Sequence, residues 1–306
     1  MKYIENPKLD ARVVAPDARV VMIVLGARSG TSALAGTLGM LGCTLPKHLM
    51  GACSSNEKGH FEPADIAGLH DALLAEAGSA WDDWRAFPQS WYDSPACPIY
   101  LDRLQAAFLD DYGDFTLAVL KEPRMCRLLP LWWRLLARAG AQAAPVFIYR
   151  DPIEVAQSLA ARDASTMLHG LSYWLRNQLD SELSTRSLSR SFVLFDELLD
   201  DWRKVARRIE AEQGIRFPHQ SDPDQAMVDA FLEPRLRHQR RMAPCFVGMG
   251  ALTDWAQAVF DQFKALRMDQ QNYAAMRELD RIRTAFNRYT GDCAQTNLLL
   301  EHAMLS

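Results

Sequence analysis

The stretch that decides the fold is VVMIVLGARSGTS, at residues 20–32. Its first part, 20–25, is a short and continuous apolar run, which is typical of a strand buried on both faces of a parallel sheet. A glycine-rich turn follows at 26–31, and apolar residues at helical spacing predict a helix over about 32–41. The stretch therefore predicts a strand, a tight turn and a helix in succession.

Further strands and helices alternate along the rest of the chain. Three more buried strands are predicted at 116–120, 145–149 and 192–195. Helices are predicted at about 63–77, 98–110, 125–139, from 152 onward, 166–183 and 196–212, with a long irregular loop at 43–62. This alternation predicts an α/β fold, in which a three-layer parallel sheet is flanked by helices.

The predicted organisation has three parts. An irregular N-terminal segment at 1–17 precedes a core at 18–215. A mostly helical extension at 216–306 follows, and we expect it to pack on the core as an appendage. Apolar positions repeat at helical spacing within 250–306, so this extension is also a candidate contact in a homodimer.

Composition excludes several classes of protein. The 306 residues carry 34 Lys and Arg against 38 Asp and Glu, a net charge of −4, which excludes a generally basic nucleic-acid binder. No apolar run approaches the roughly 20 residues of a membrane span, and the N-terminus lacks an apolar signal core. The 6 cysteines form no CxxC pair, so we expect reduced thiols, a cytoplasmic protein and no metal site.

Cations follow the first three predicted strands. Arg28 comes after the first strand, Lys121 after the second and Arg150 after the third. Ligands of open parallel sheets bind beyond the carboxyl ends of the strands. The three cations are therefore expected to meet at one edge of the sheet.

The glycine-rich turn is a candidate anion site. Backbone amides of such a turn, together with the N-terminus of the following helix, bind phosphate-like anions. The turn departs from the GxxxxGK[ST] pattern of nucleotide hydrolases, because no lysine precedes Thr31 or Ser32 and Arg28 supplies the cation. The alternative is an ordinary strand–helix turn, which also favours glycine and serine.

A second candidate anion site lies in FIYRDPIEVAQSLAAR, at 147–162. Asp151 as N-cap, Pro152 as first helical residue and Glu154 two positions later form a capping-box arrangement that fixes the helix start. Arg150 is then held at the end of the strand, and Ser158 lies about two helical turns along. Together they can hold a phosphate; alternatively, Arg150 pairs with a surface carboxylate and Ser158 is merely exposed.

These two segments resemble the paired cofactor motifs of the sulfotransferases that use 3′-phosphoadenosine 5′-phosphosulfate (PAPS). The resemblance extends over roughly 20–215 and is closest to the bacterial branch. It includes KGHFE (58–62), LKEPRM (120–125), LSYWLRNQLDSE (171–182) and FDELLDDW (195–202). It implies a P-loop-like sulfotransferase fold, sulfuryl transfer to an acceptor hydroxyl, and release of 3′,5′-ADP without a metal.

The resemblance also implies which residues bind the cofactor. The loop would hold the 5′-phosphosulfate through Arg28, Ser29, Gly30, Thr31 and Ser32. Arg150 and Ser158 would hold the 3′-phosphate. The basic segment PRLRHQR (234–240) could close over the phosphates through Arg237 or His238, or could be a solvated turn.

Sulfuryl transfer requires in-line geometry and stabilisation of developing charge. Arg28, where animal cytosolic relatives have lysine, is placed to stabilise the leaving group as a bidentate fork. Lys121 is a candidate second cation, or a lysine paired with Glu122 or another carboxylate. For the base that accepts the hydroxyl proton, we favour Glu62, with His60 as the rival.

The acceptor is expected to be a small molecule or a saccharide, such as a precursor of a surface polysaccharide. An aromatic segment at 81–93 could form a stacking wall for a sugar through Trp81, Trp84, Trp91 and Tyr92, with Asp82, Asp83 and Asp93 binding hydroxyls. Alternatively, these aromatic side chains pack beneath a loop. His70 and Trp174 are expected to be structural.

Two other functions fit parts of the pattern. A nucleotide-dependent kinase of the phosphate-loop class would need the missing loop lysine and a strand ending in a Mg²⁺-binding Asp. The nearest such strand is VLFD at 193–196. A non-catalytic nucleotide-binding scaffold would keep Arg150 and Ser158 but would have no working base.

Overall fold

The computed structural model describes residues 18–51, 59–163, 165–232 and 250–304. The N-terminal segment 1–17 and the basic segment with Arg237 and His238 lie outside the described residues. Most of the central part of the 43–62 loop also lies outside them.

The described strands form one parallel sheet. The strands are β1 (Arg19–Leu25), β2 (Leu117–Leu120), β3 (Ala141–Tyr149) and β4 (Ser191–Leu194). Their order is β2-β1-β3-β4, and each neighbouring pair is parallel. All four carboxyl ends therefore lie at the same edge. The α/β class predicted from the sequence is confirmed.

Helices connect and follow the strands. In chain order they are α1 (Thr31–Met40), α2 (Ala64–Glu76), α3 (Ala96–Tyr112), α4 (Met125–Arg138), α5 (Pro152–Asp163), α6 (Met167–Thr185), α7 (Phe195–Asp200), α8 (Trp202–Gln213), α9 (Asp222–Phe231), α10 (Gly250–Met268) and α11 (Tyr273–Met304). A short 3₁₀ helix spans Gln89–Asp93.

The apolar run of β1 is buried on both faces, as a central parallel strand requires. Val21, Ile23 and Leu25 belong to one hydrophobic cluster, with side chains from α2 to α6, α10 and α11. The alternate residues of the strand belong to the other, with side chains from α1, α7, α8 and α9. The sheet is thus the middle of three layers.

The C-terminal helices α10 and α11 take part in the larger cluster. Phe263 of α10 packs its ring edge against Phe147 of β3 at 5.6 Å and Phe192 of β4 at 5.4 Å. Arg190, fully buried before β4, donates from its backbone N–H to Gln270 Oε1 at 2.7 Å in the α10–α11 turn. These contacts bury the apolar face of α10 against the sheet.

Two element boundaries differ from the prediction. Strand β3 begins at Ala141, because residues 141–145 pair with the first half of β1 despite their small side chains. The helix predicted over 196–212 breaks at Asp201, whose carboxylate caps α8 by accepting from the Lys204 backbone N–H at 2.9 Å. An internal Asp that competes for backbone N–H groups favours this kind of restart.

Within the described residues, none of the helices combines the length and the apolar character that crossing a membrane would require.

Candidate active site

The loop after β1 lies against the ends of β3 and β4. Gly26 has φ +113°, and a Cβ on it would lie 1.9 Å from the carbonyl oxygen of Ile148. Gly30 has φ +100°, and a Cβ there would lie 2.2 Å from the ring of Phe195. Only glycine combines these backbone angles with such close approach. The glycines thus set the loop at the carboxyl edge of the sheet.

The N-terminus of α1 faces the same edge. Gly30 is its N-cap and gives no side-chain cap, and the first turn carries no acidic residue. Its leading N–H groups have no partner within the helix, which makes this end suitable for an anion. Ser29 is fully buried and is used within the loop, since its N–H donates to Gly26 O at 3.0 Å and its hydroxyl to Ala27 O at 3.4 Å.

Arg28 adopts a left-handed backbone conformation, with φ 60°. For a residue with a Cβ this conformation is unfavourable and is held by its surroundings. Its guanidinium donates to the Ser158 hydroxyl on α5 at 3.1 Å. The two predicted anion motifs, 130 residues apart in the chain, are therefore in contact.

Arg150 is buried where β3 ends and α5 begins. Its Nε donates to Glu154 Oε2 at 2.6 Å, and its guanidinium lies 5.0 Å over the Phe195 ring that also contacts the Gly30 position. Asp151 caps α5 by accepting from Ile153 N–H at 2.8 Å, as predicted. The pairing of Glu154 with Arg150 was not predicted; it fixes the guanidinium beside the loop.

Lys121, directly after β2, is buried with 4% of its surface exposed. Its ammonium forms an ion pair with Glu62 and donates to the His60 carbonyl at 3.1 Å and to the Ser32 hydroxyl at 3.4 Å. Burial lowers the pKa of Lys121 from its usual value, against the opposing effect of Glu62 and Glu122. The carboxylate partner anticipated for Lys121 is therefore Glu62.

His60 lies beside the pair of Lys121 with Glu62, and Arg28 and Arg162 act on it electrostatically. Its Nδ1 is 3.9 Å from Glu62 Oε1. Burial lowers its pKa below the usual histidine value; Glu62 opposes this, while Lys121, Arg28 and Arg162 add to it. An imidazole in this setting is neutral and able to accept a proton at neutral pH.

The backbone at His60 and Glu62 is fixed on both sides. Phe61, between them, has φ 55° and, among the described residues, shares a positive φ with Arg28 alone of the non-glycine residues. Its ring packs edge-on against Phe231 of α9 at 5.9 Å. Glu62 O accepts from Met50 N–H at 2.7 Å, so the end of the 43–62 loop is hydrogen-bonded to an earlier part of the same loop.

The aromatic side chains Trp81, Trp91 and Tyr92 pack against the hydrophobic core, and Trp81 also reaches Arg162. Trp91 is buried, and the Tyr92 hydroxyl donates to Arg127 O at 3.3 Å, which fits the alternative that these side chains pack beneath a loop. Trp81 instead contacts Tyr173 edge-on at 5.7 Å and lies under the Arg162 guanidinium at 5.5 Å. Trp174, as expected, is fully buried.

Two buried arginines hold the backbone of this segment. Arg127 donates to Ala80 O at 2.7 Å and Arg85 O at 3.0 Å, and Arg176 donates to Trp84 O at 3.0 Å. Guanidinium groups that bind several carbonyls restrict a loop strongly, because each has a rigid fork of donors. Trp81 is therefore presented on a fixed backbone.

The predicted site residues thus form two groups of contacts. One joins Arg28 to Ser158, and the other runs from Ser32 through Lys121 to Glu62 and His60. Gly30 and Thr31, at the start of α1, lie between Arg28 and Ser32 in sequence. The pairing of Glu122 with His70 was not predicted from the sequence. Glu122 directly follows Lys121, so the sequence placed these two residues at the same strand end but did not indicate a partner for Glu122.

No group of three or more His, Cys, Asp or Glu side chains within the described ranges has an arrangement that could hold a metal ion.

No protein-family model and no curated protein matches the chain. Among solved structures, it is similar to the sulfotransferase domain from the curacin biosynthetic pathway, with TM-score 0.44 and 12% identity over 78% of this chain and 98% of that one. It is also similar to the sulfotransferase domain from the Synechococcus PCC 7002 olefin synthase, with TM-score 0.40 and 17% identity over 79% and 96%.

Proposed function

We propose that this protein is a sulfotransferase that transfers a sulfuryl group from PAPS to an acceptor hydroxyl. The observation that carries the proposal is the contact between the two anion motifs. Arg28 of the glycine loop donates to Ser158 of α5, and Arg150 lies at the end of the neighbouring strand. One edge of the sheet thereby offers two cationic positions, which suits a nucleotide with phosphate groups on both the 3′ and the 5′ position of its ribose.

The loop and the N-terminus of α1 fit the phosphosulfate end of PAPS. The close approach at Gly26 and Gly30 leaves backbone N–H groups at the helix start, and Arg28 adds a charge. Arg150 and Ser158 are the proposed 3′-phosphate ligands, since a guanidinium and a hydroxyl bind phosphate by charge-assisted hydrogen bonds. Bound PAPS supplies an activated sulfuryl group, and 3′,5′-ADP is its product.

The transfer step requires that charge be stabilised and that a proton be removed. The acceptor oxygen forms a bond to sulfur while the bond from sulfur to the phosphate oxygen breaks. Arg28 and Lys121 are the proposed cations beside the developing negative charge. They act from fixed positions, because Arg28 is held in a left-handed conformation and Lys121 is buried.

For the base, the contacts support a division of labour between His60 and Glu62. One oxygen of Glu62 is engaged by the Lys121 ammonium, so this oxygen is already occupied and is less available to an acceptor hydroxyl. His60 has a lowered pKa and a carboxylate 3.9 Å away to stabilise its charged form. We therefore propose that His60 takes the proton while Glu62 orients and stabilises the imidazolium, whereas the sequence favoured Glu62 as the base.

The acceptor is proposed to approach past Trp81. This side chain lies on a fixed backbone, and its neighbour Arg162 is close enough to affect His60 electrostatically. An indole ring suits an acceptor that presents one apolar ring face and a hydroxyl, as a saccharide does.

Calorimetric titration of the purified protein with 3′,5′-ADP, beside ADP with Mg²⁺, tests the donor site. We expect metal-independent binding of 3′,5′-ADP and a much weaker response to ADP. The Arg150→Ala variant should lose about 1.5–3 kcal/mol of 3′,5′-ADP binding free energy, as for a charge-assisted hydrogen bond. Arg281→Ala, which removes an exposed partner of Glu278, is the matched control and should bind like the parent.

Two results would contradict the proposal. Preference for ADP with Mg²⁺ would favour a phosphate-loop kinase. Equal affinity of Arg150→Ala and the parent for 3′,5′-ADP would remove Arg150 from the donor site.

A further inference from the structure

Three polar pairs join the residues after β2 to α2 and to Glu62, which lies two residues before that helix. The pairs follow the same order in both segments and lie 59, 52 and 53 residues apart in sequence: Lys121 with Glu62, Glu122 with His70, and Arg124 with Asp71. The strand end and α2 are thus held together along their length. The middle pair has no part in the proposed transfer step, and it is the most deeply buried of the three.

Trp132 sets the orientation and tautomer of the His70 ring. The indole Nε1 can only donate, and it lies 2.9 Å from His70 Nε2, so this nitrogen accepts. The imidazole proton is therefore on Nδ1, where it is donated to Glu122 Oε2. Both His70 and Glu122 are essentially inaccessible to solvent, at 0% and 1% exposure. One oxygen of Glu122 thus has a fixed donor.

Arg124 fixes the other side of the carboxylate. Its guanidinium donates to Glu122 Oε1 at 2.6 Å and its backbone N–H to Oε2 at 3.1 Å. The same guanidinium holds Asp71 through two bonds of 2.6 and 2.8 Å. Burial alone would raise the pKa of Glu122, but His70 and Arg124 outweigh it and the pKa is lowered. Glu122 is therefore a buried, oriented negative charge.

This charge acts on Lys121, the next residue in the chain. Two buried carboxylates favour the charged form of Lys121: Glu62, which contacts the ammonium, and Glu122, which acts through its charge. Burial and the charge of Arg28 oppose them, and His60 also lies beside Glu62. Because Glu62 also faces His60, it cannot compensate Lys121 alone when the imidazole becomes charged.

We propose that Glu122, held by His70 and Arg124, is a positioning residue that keeps the buried Lys121 ammonium charged and directed at Glu62. Its negative charge offsets part of the desolvation of the buried lysine. Lys121 then remains a cation throughout the proposed transfer. That role of Lys121 in transfer rests on the proposed function, whereas the effect of Glu122 on the charge state of Lys121 does not.

Lysine titration by NMR measures this charge state directly. The protein has 7 lysines, and among the described ones Lys121 is buried whereas Lys47, Lys204 and Lys264 are exposed. Labelling lysine at ¹³Cε gives one signal per residue, and Lys121→Arg assigns the signal of interest. We expect Lys121 in the parent to be protonated at pH 7. In Glu122→Gln its titration midpoint should fall by about one pH unit or more.

Asp71→Asn is the matched control. It removes a negative charge from the same network, but from the far side of Arg124, where Asp71 is half exposed. We expect the Lys121 midpoint in this variant to stay within roughly 0.3 pH units of the parent, because the charge is farther away and screened by solvent. Equal midpoints in Glu122→Gln and the parent, or an uncharged Lys121 in the parent at pH 7, would overturn the proposal.

A second pair of variants keeps the test usable if Glu122→Gln does not fold. In His70→Asn the amide N–H occupies the place of Nδ1 and still donates to Glu122, whereas His70→Leu removes the donor. A carboxylate without its donor is more easily neutralised, so the Lys121 midpoint should be lower in His70→Leu than in His70→Asn. The same midpoint in both variants would contradict the positioning role.

Activity provides a separate readout. If sulfuryl transfer is observed, the alkaline limb of kcat against pH should move down in Glu122→Gln by the shift measured for Lys121, with the KM for PAPS little changed. A merely structural role would lower kcat without moving this limb. Absence of transfer or of 3′,5′-ADP binding in the parent would contradict the proposed function, while leaving the NMR result interpretable.

Discussion

The two sides of the site are built in different ways. On the donor side, short segments carry their own geometry: Gly26 and Gly30 shape a loop of a few residues, and Asp151 starts the helix that follows Arg150. On the reaction side, the pair of Lys121 with Glu62 joins residues 59 apart in the chain. The donor side depends on backbone conformation, and the reaction side on buried side-chain charges.

This difference determines how each side should respond to change. A loop set by glycine conformation fails when a single Cβ is added, whatever the chemistry of the new side chain. A buried ion pair fails when one partner is lost, but it can be replaced as a unit by apolar side chains of similar volume. Substitutions at the two sides can therefore distinguish these kinds of construction.

The largest effect is expected for Gly26→Ala. Its Cβ would lie 1.9 Å from Ile148 O in a central strand, so the loop or the strand must move. We expect a loss of at least about 4 kcal/mol in the free energy of unfolding, measured by urea denaturation. Gly140→Ala, also at positive φ but with open space around it, should lose only about 1 kcal/mol. Similar losses in both variants would mean that strain, and not the close approach, sets the requirement for glycine.

A somewhat smaller effect is expected for Lys121→Met. It leaves the buried Glu62 without its ammonium, which should cost about 3 kcal/mol of stability. The double variant Lys121→Met/Glu62→Leu should recover most of that loss, since no buried charge remains unpaired. Arg138→Ala, which breaks an exposed pair with Asp102, should change stability by less than about 0.5 kcal/mol. A double variant less stable than Lys121→Met would show that Glu62 has another essential partner.

The smallest effect on the free energy of unfolding is expected for His60→Asn, whose expected effect is on activity. The parent should lose activity as the pH falls through the His60 pKa, which lies below the usual histidine value, because protonation removes the proposed base. His60→Asn should lower kcat about 10²-fold and abolish this acidic limb, with 3′,5′-ADP affinity unchanged. Glu62→Gln should lower kcat but retain an acidic limb. Retention of the limb in His60→Asn and its loss in Glu62→Gln would return the base role to Glu62.

Sequence patterns predicted the sheet because its strands are short apolar runs that end at turns or at single cations. Residues 20–25 were identified from their unbroken hydrophobicity, and the structure buries that strand on both faces. The start of β3 was missed, because Ala141, Ala143 and Ala144 give no strong strand signal and are placed by pairing with β1. The break at Asp201 was missed because the apolar spacing continues across it.

The residues of the candidate site also divide into those that the sequence could predict and those that it could not. Arg28, Arg150 and Ser158 could be proposed from the sequence because each stands at a fixed offset from a strand end. The partners of Lys121 could not, because KEPR alone leaves Glu122 and every other carboxylate equally available. The positions of His70 and Glu122 show the same limit, since a histidine within an amphipathic helix gives no sign of the residue that it will contact.

The sequence by itself determined the α/β alternation, the glycine loop and the cations at the strand ends, because these depend on hydrophobic periodicity and local backbone preference. Tertiary structure alone decided that Glu62 pairs with Lys121, that His60 lies beside Glu62 and that Glu122 is clamped by His70 and Arg124. Those contacts depend on how α2 packs against the end of β2. The charges gain specific partners there because burial removes the water that would otherwise solvate them.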